Sequence, residues 1–324
     1  TTINIRTDIM HPENFNSGSN QGQNLTTMEA FKHYEIRHCI DANTLSPVYE
    51  AWDTKLHRVV AIKRLSNLGG EFDAVLKQAR TAAGLMHAAF VKIHALEEVD
   101  HDIYIVMEMV QGQTLGQWMK EHQGQENLAL IHIKQIAAAL QEAHTAGLIH
   151  GDLQPTNLMV DAAGKIRILN LGFTTHYDPH AVRNVAEIDP QASIAYLAPE
   201  RFSEQAATAA SDVFALGTIL YQMLLGATPF SNLRGLALVA AQAQTASEQW
   251  AWPTSVSPAS RDLILGMTKR DVSKRLNWQQ VQDECQKLVV KESPSSSLSQ
   301  SKIHALQLHL DAQARRRRWR YGMV

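Results

Sequence analysis

The sequence predicts an α+β fold in two unequal lobes: a small β-rich N-lobe with one main helix, followed by a larger, mainly helical C-lobe. Short runs of β-branched and aromatic residues, with one helix-period stretch among them, fill the first third of the chain. From Thr114 onward the apolar residues recur mostly at helical spacing. The chain has 324 residues, 45% hydrophobic and 19% charged, which is long enough for one large two-lobed domain and ordinary for a globular protein.

In chain order, residues 1–30 are rich in Asn, Gln, Ser and Gly without period and read as a flexible N-terminal arm. The N-lobe spans about 31–108. Val59-Val60-Ala61-Ile62-Lys63 and Ile103-Tyr104-Ile105-Val106-Met107 read as strands, and Phe72 to Met86 as the one helix. The C-lobe spans about 111–290, with helices over Ile131 to Ala146, Ala210 to Leu225 and Ser260 to Thr268. Residues 291–301 form a Ser-rich linker. Residues 302–324 form a basic C-terminal helix or tail, in which Ile303, Leu306 and Leu310 recur at helical spacing. There is no internal repeat.

A formal net charge of −2 argues against general nucleic-acid binding, so no nucleic-acid partner is expected. Two cysteines, Cys39 and Cys285, give neither a disulfide framework nor metal-ligand spacing and fit a reducing cytosol. No run of 18 apolar residues occurs, and the first residues lack the order of a secretory signal. The expected location is cytoplasmic, or the cytoplasmic face of a membrane.

Several short motifs follow one another in a fixed order. They are Val60-Ala61-Ile62-Lys63, Val106-Met107-Glu108-Met109-Val110, His150-Gly151-Asp152-Leu153-Gln154-Pro155-Thr156-Asn157, Asn170-Leu171-Gly172, Ala198-Pro199-Glu200 and Ser211-Asp212-Val213-Phe214-Ala215-Leu216-Gly217, with Arg275 downstream. Together, over roughly residues 34 to 290, they resemble the V-A-I-K strand, hinge, H-R-D catalytic loop, D-F-G, A-P-E and S-D-V elements of protein kinases. The wording is closest to the eukaryotic-like Ser/Thr kinases of bacteria.

The resemblance implies a bilobal protein-kinase-like fold, with Asp152 as the base that accepts a substrate hydroxyl proton and Lys63 reaching the ATP phosphates. It places the nucleotide pocket at Val48, Ala61, Lys63, Met107, Glu108, Val110 and Met159, and it makes Asn157 and Asn170 the candidate metal ligands. Arg275 would pair with Glu200. In the activation segment, Ser193 matches the peptide-binding floor, and Thr174, Thr175 and Tyr177 are further hydroxyls.

This sequence departs from the family pattern where charge on the phosphates is handled. Asn170 replaces the D-F-G aspartate, and an amide brings no charge to a hard divalent cation. Gln78 stands where the lysine's glutamate partner belongs; it can accept a hydrogen bond from Lys63 but cannot pair as an ion. Asp41, Asn43 and Ser46 occupy the three glycine positions of the phosphate-covering loop, and Pro47 removes another donor. Gln154 replaces the loop lysine and Gly151 the loop arginine. The expectation is therefore a degenerate kinase, or pseudokinase. It would act as a signalling scaffold or regulatory binding module through protein partners, with weak, metal-independent ATP binding and no productive Mg²⁺ site.

The alternative is a slow or atypical Ser/Thr kinase in which Asp152 works as the base. A second alternative is a membrane-associated adaptor that contacts anionic lipid through Arg315, Arg316, Arg317, Arg318, Trp319 and Arg320.

Overall fold

The computed structural model describes residues 30–41, 46–66, 72–99, 102–171, 194–203 and 205–291. Residues 1–29 of the N-terminal arm, Asn43, Thr174, Thr175, Tyr177, Ser193, the linker beyond residue 291 and the Arg315–Arg320 cluster lie outside these residues, and Ala30, expected in the arm, opens the first strand.

The small lobe is one antiparallel sheet of six strands: β1 Ala30–Phe31, β2 Tyr34–Asp41, β3 Val48–Asp53, β4 Arg58–Leu65, β5 Ile93–Val99 and β6 Asp102–Glu108. Their spatial order is β1-β2-β3-β4-β6-β5. Period-two alternation sorts their side chains onto two faces. Phe31, Tyr49, Ala51, Val60, Ile62, Tyr104 and Val106 pack on one face. On the other, Leu65, Ile103 and Ile105 meet Val75 and Leu76 of helix α1, Phe72–Ala83. That second face also carries Ala61 and Lys63 (four and two residues before Leu65), so α1 covers only its far end and the rest turns to the large lobe. The helix stops three residues short of Met86. Gly84 and Leu85 donate to Thr81 and Ala82 at 3.0 and 3.2 Å, an i→i+3 turn that ends the α-helical ladder at glycine.

The large lobe begins with β7 Gly112–Thr114, which joins β8 Leu158–Asp161 and β9 Ile166–Ile168 in a three-stranded antiparallel sheet. Its helices are α2 Leu115–His122, α3 Glu126–Thr145, α4 Ala209–Leu225, α5 Gly235–Gln244, α6 Pro258–Met267 and α7 Trp278–Lys291. The helices expected at 131–146, 210–225 and 260–268 are present with slightly shifted ends. Helix α4 is apolar nearly all round and lies inside the lobe's core with α3 and α6. Thr208 caps its start in a reciprocal capping box with Ser211, and Gly226 ends it at φ +79°. No helix among the described residues is long and apolar enough to cross a membrane.

Helices α4 and α6 touch at Gly217, where a Cβ would sit 2.8 Å from both Met267 Cβ and Thr268 Cγ2. Gly217→Ala is therefore expected to destabilise the fold by about 1–3 kcal/mol through overpacking. A denaturation midpoint equal to that of the parent would contradict this close approach.

In α3, His132 is 4% exposed, packs edge-on against Trp118, and its Nδ1 has no hydrogen-bond partner. Burial, helped by nearby His122, pushes its pKa down to about 4. A histidine depressed in the fold stabilises it above its unfolded value near 6.5, and that contribution is lost as pH falls toward about 4. His132→Phe removes the effect. The variant's stability relative to wild type should rise by up to about 3 kcal/mol as pH drops through that window. A difference in melting temperature that does not change with pH would contradict it.

Candidate active site

The loop expected to hold the base is anchored from below by α4. Asp212, near the start of that helix, accepts the backbone N–H groups of His150 at 2.8 Å and Gly151 at 2.9 Å. Burial pushes the Asp212 carboxyl up to about 7, against the pull of those two N–H groups. The His150 Nε2–H donates to the Leu169 carbonyl at 3.0 Å, since a carbonyl can only accept. That fixes a neutral ring whose Nδ1 accepts from Asp152 N at 3.4 Å. Burial keeps His150 neutral, with its pKa down at about 4. Gly151 takes φ +78°, a left-handed conformation that strains any residue with a Cβ. Its replacement of the family arginine therefore also suits the backbone.

Across the front of this loop runs a continuous chain of hydrogen bonds. Lys63 Nζ donates to Asn170 Oδ1 at 2.8 Å, and Asn170 Nδ2 donates to Asn157 Oδ1 at 2.8 Å. Asn157 Nδ2 donates to the Asp152 carbonyl at 2.7 Å and to its Oδ2 at 2.9 Å. Gln154 Nε2 closes the chain, reaching both Asp152 carboxylate oxygens at 2.9 and 3.0 Å. Asn157 is set by a short 3-10 turn, Pro155–Asn157, and its carbonyl accepts from Leu169 N at 2.9 Å. Asn170 sits at φ +59°, where Asn and Asp are both favoured over most residues. Burial holds the Asp152 carboxyl above its usual range, opposed by the amides of Gln154 and Asn157 and by Lys63. Burial also lowers Lys63 to about 8, with Asp152 and Asp41 acting the other way.

Gln78 does not hold Lys63 as expected. Lys63 turns to Asn170, and the buried Gln78 Oε1 has no hydrogen-bond partner. An uncharged amide offers an ammonium too little to draw it toward α1 when a second amide oxygen faces it directly.

The nucleotide-pocket residues sort onto recognisable surfaces. Val48 pairs with Lys63, and Ala61 pairs with Met107. Directly paired residues share a sheet face, so these four line the side turned toward the large lobe. Met159 alternates with Leu158 and Val160, which enter the large core, and so lies on the opposite face of β8. Glu108 ends β6 and its backbone N–H is taken by the Lys92 carbonyl at 2.9 Å. Its carboxylate forms a close ion pair with Arg167, a long-range contact that no local pattern encodes. Val110 follows in the connection to β7. Asp41 pairs with Val48, which places Asp41, Val48 and Lys63 in one row across three strands. Ser46 and Pro47 lead into β3. The Arg275–Glu200 pair is present, at 2.7 and 3.1 Å.

The resemblance assigns a divalent cation to Asn157 and Asn170, and neither brings a charge. Mg²⁺ is held by one or two carboxylates together with substrate phosphates. Here Asp152 is the one carboxylate of the set. The Asn157 and Asn170 oxygens, like those of Asp152, already accept N–H donors from the protein.

Residues 34–285 match the protein kinase domain model, and the chain belongs to that family. It is similar to the serine/threonine-protein kinase PrkC of Bacillus subtilis, 32% identical over 245 residues, covering 74% of this chain and 37% of that protein. It is also similar to PknE of Mycobacterium bovis, 32% identical over 208 residues, covering 62% of this chain and 36% of that protein. PknA of Mycobacterium tuberculosis is 31% identical over 242 residues, covering 71% of this chain and 55% of that protein. The aligned part spans between about a third and just over half of these relatives' lengths.

Proposed function

We propose that this member of the protein kinase family works chiefly as a binding module for protein partners, with Mg²⁺-dependent phosphotransfer absent or strongly impaired. One observation carries this reading: Asn170, in the position of the metal-holding aspartate, brings no negative charge, and its oxygen and that of Asn157 already accept from Lys63 and Asn170. Losing a unit charge beside a divalent ion costs several kcal/mol even at an effective dielectric of about 20. That is on the order of a thousandfold in rate if the loss falls on the transition state. The apolar face of Val48, Ala61 and Met107 supports ligand binding without transfer. Free Cys39 and Cys285 suit a reducing compartment, and we place the module in the cytoplasm.

A second reading, a slow Ser/Thr protein kinase using ATP, is favoured by Asp152 and Asn157, which keep the family's identities on an intact loop. The relatives' names support it more directly than the first. A phosphate-transfer assay on a protein substrate, with Mg²⁺ or Mn²⁺ and with Asp152→Ala as control, decides between the two. Turnover in the parent that Asp152→Ala abolishes would end the non-catalytic reading; signals that are equal and at background support it.

A further inference from the structure

We infer that an apolar groove on the large lobe seats this chain's own residues 303–311. The groove lies at the end of α4, whereas Asp212 near the start of that helix anchors the Asp152 loop. Its volume is about 560 Å³, and Tyr221, Leu225, Pro229, Trp252 and Pro253 form its walls. None of the residues lining it is charged. The rings of Tyr221 and Trp252 meet edge-on with centroids 5.3 Å apart. Their polar tips are spent inside the protein: the Tyr221 hydroxyl donates to the Ala251 carbonyl at 2.9 Å, and the Trp252 Nε1–H to the Ser247 carbonyl at 3.0 Å. What remains for an occupant is ring and aliphatic surface, so the occupant must be largely apolar.

One charge stands at the edge. The Arg261 guanidinium lies 5.3 Å over the Trp252 ring, and its side chain has no hydrogen bond or ion pair among the described residues. It favours an occupant that carries a carboxylate beside its apolar residues.

The path of the chain leads toward this place. Helices α3 and α7 run antiparallel, since Gln282 reaches Gln141 while the later Gln286 bonds the earlier Lys134. The end of α7 at Lys291 is therefore directed toward the start of α3. That start is joined to both walls of the groove. Glu126 accepts from the hydroxyls of Ser257 and Ser260, immediately before Arg261. Gly124 donates to the Met223 carbonyl at 3.0 Å, close to the end of α4. Residues 292–301 can span up to about 33 Å when extended, more than the length of α4, about 26 Å.

The residues that follow match the groove in chemistry. Ile303, Leu306 and Leu310 fall at i, i+3 and i+7, the spacing of a helix laid along an apolar groove. Asp311 is the one carboxylate in 303–311 and complements Arg261. Tethering makes a weak contact sufficient. A short linker presents its cargo at an effective concentration on the order of millimolar, so a dissociation constant of about 0.1 mM leaves it seated roughly ten times as often as free.

The test is hydrogen–deuterium exchange of the whole chain, read by mass spectrometry at two protein concentrations. It compares the parent with Leu306→Asp/Leu310→Asp, with Arg261→Glu and with the charge-exchanged Arg261→Glu/Asp311→Lys. Amides of 303–311 are expected to exchange about tenfold slower in the parent than in Leu306→Asp/Leu310→Asp. Amides of 226–233 and 249–257, which border the groove, should slow with them. Arg261→Glu should lose part of both effects, and the charge-exchanged pair should regain it. Bordering amides that exchange alike in the parent and in Leu306→Asp/Leu310→Asp would overturn the inference, as would an exchanged pair no better than Arg261→Glu. Protection that grows with protein concentration would overturn it in favour of a second copy of the chain.

Discussion

Asn170→Asp is expected to give this chain a Mg²⁺- or Mn²⁺-dependent phosphate-transfer activity well above that of the parent. The substitution changes one amide to a carboxylate at a backbone position, φ +59°, that aspartate adopts as readily as asparagine. The carboxylate cannot donate to Asn157 Oδ1, so that oxygen is released to a cation. Lys63 in turn gains an ion-pair partner in place of an amide. Two oxygen ligands and one negative charge are restored together. The gain is on the order of a thousandfold if the restored stabilisation is expressed in the transition state. Gln154 still occupies both oxygens of Asp152, so the double variant Asn170→Asp with Gln154→Lys should exceed the single one. Incorporation of labelled phosphate, with and without metal, checks both. A folded Asn170→Asp protein that stays at parental background would show that the amide at this position is not what limits the chemistry.

The second large effect is on stability. Arg275→Ala should cost about 3–5 kcal/mol, because it leaves a nearly buried carboxylate without its partner. The Arg275 side chain is fully buried and that of Glu200 is 10% exposed. The guanidinium grips both Glu200 oxygens and donates to the Lys269 carbonyl at 2.9 and 2.8 Å and to the Ala210 carbonyl at 2.7 Å. It also lies 5.2 Å over the Phe214 ring. One side chain thus ties the Pro199–Ser203 turn to the start of α4 and the end of α6. Arg275→Lys should recover little, since an ammonium cannot span two carboxylate oxygens and two carbonyls at once. Chemical denaturation measures the loss. A cost below about 1 kcal/mol would mean that the pair is far wetter than its geometry implies.

Most of the architecture was legible because it rests on local periodicity. The β4 and β6 strands and helices α3, α4 and α6 show in their apolar spacing, and the motif order placed the loop, hinge and closing ion pair. The partner of Lys63 was not legible. Matching Gln78 to the family position assumes that α1 presents that residue to β4, and such an approach is set by tertiary packing rather than by pattern. Gly151 reads in the sequence as the loss of an arginine, and only its φ of +78° supplies a backbone reason for glycine. Gln154 reads as the loss of a lysine, whereas the fold turns it back onto Asp152. Amide identity was visible throughout, but the direction in which each amide spends its donors and acceptors depends on three dimensions.

The oxygens a cation would need already accept from the protein's own N–H groups, and only Asp152 among them carries charge. Titration of Mn²⁺ in the presence of ATP, followed by electron paramagnetic resonance of the free ion, tests it most directly in the parent, Asn157→Ala and Asn170→Asp proteins. The parent and Asn157→Ala are expected to hold no Mn²⁺ beyond what ATP binds in solution, while Asn170→Asp does. Protein-bound Mn²⁺ in the parent that Asn157→Ala removes would contradict it.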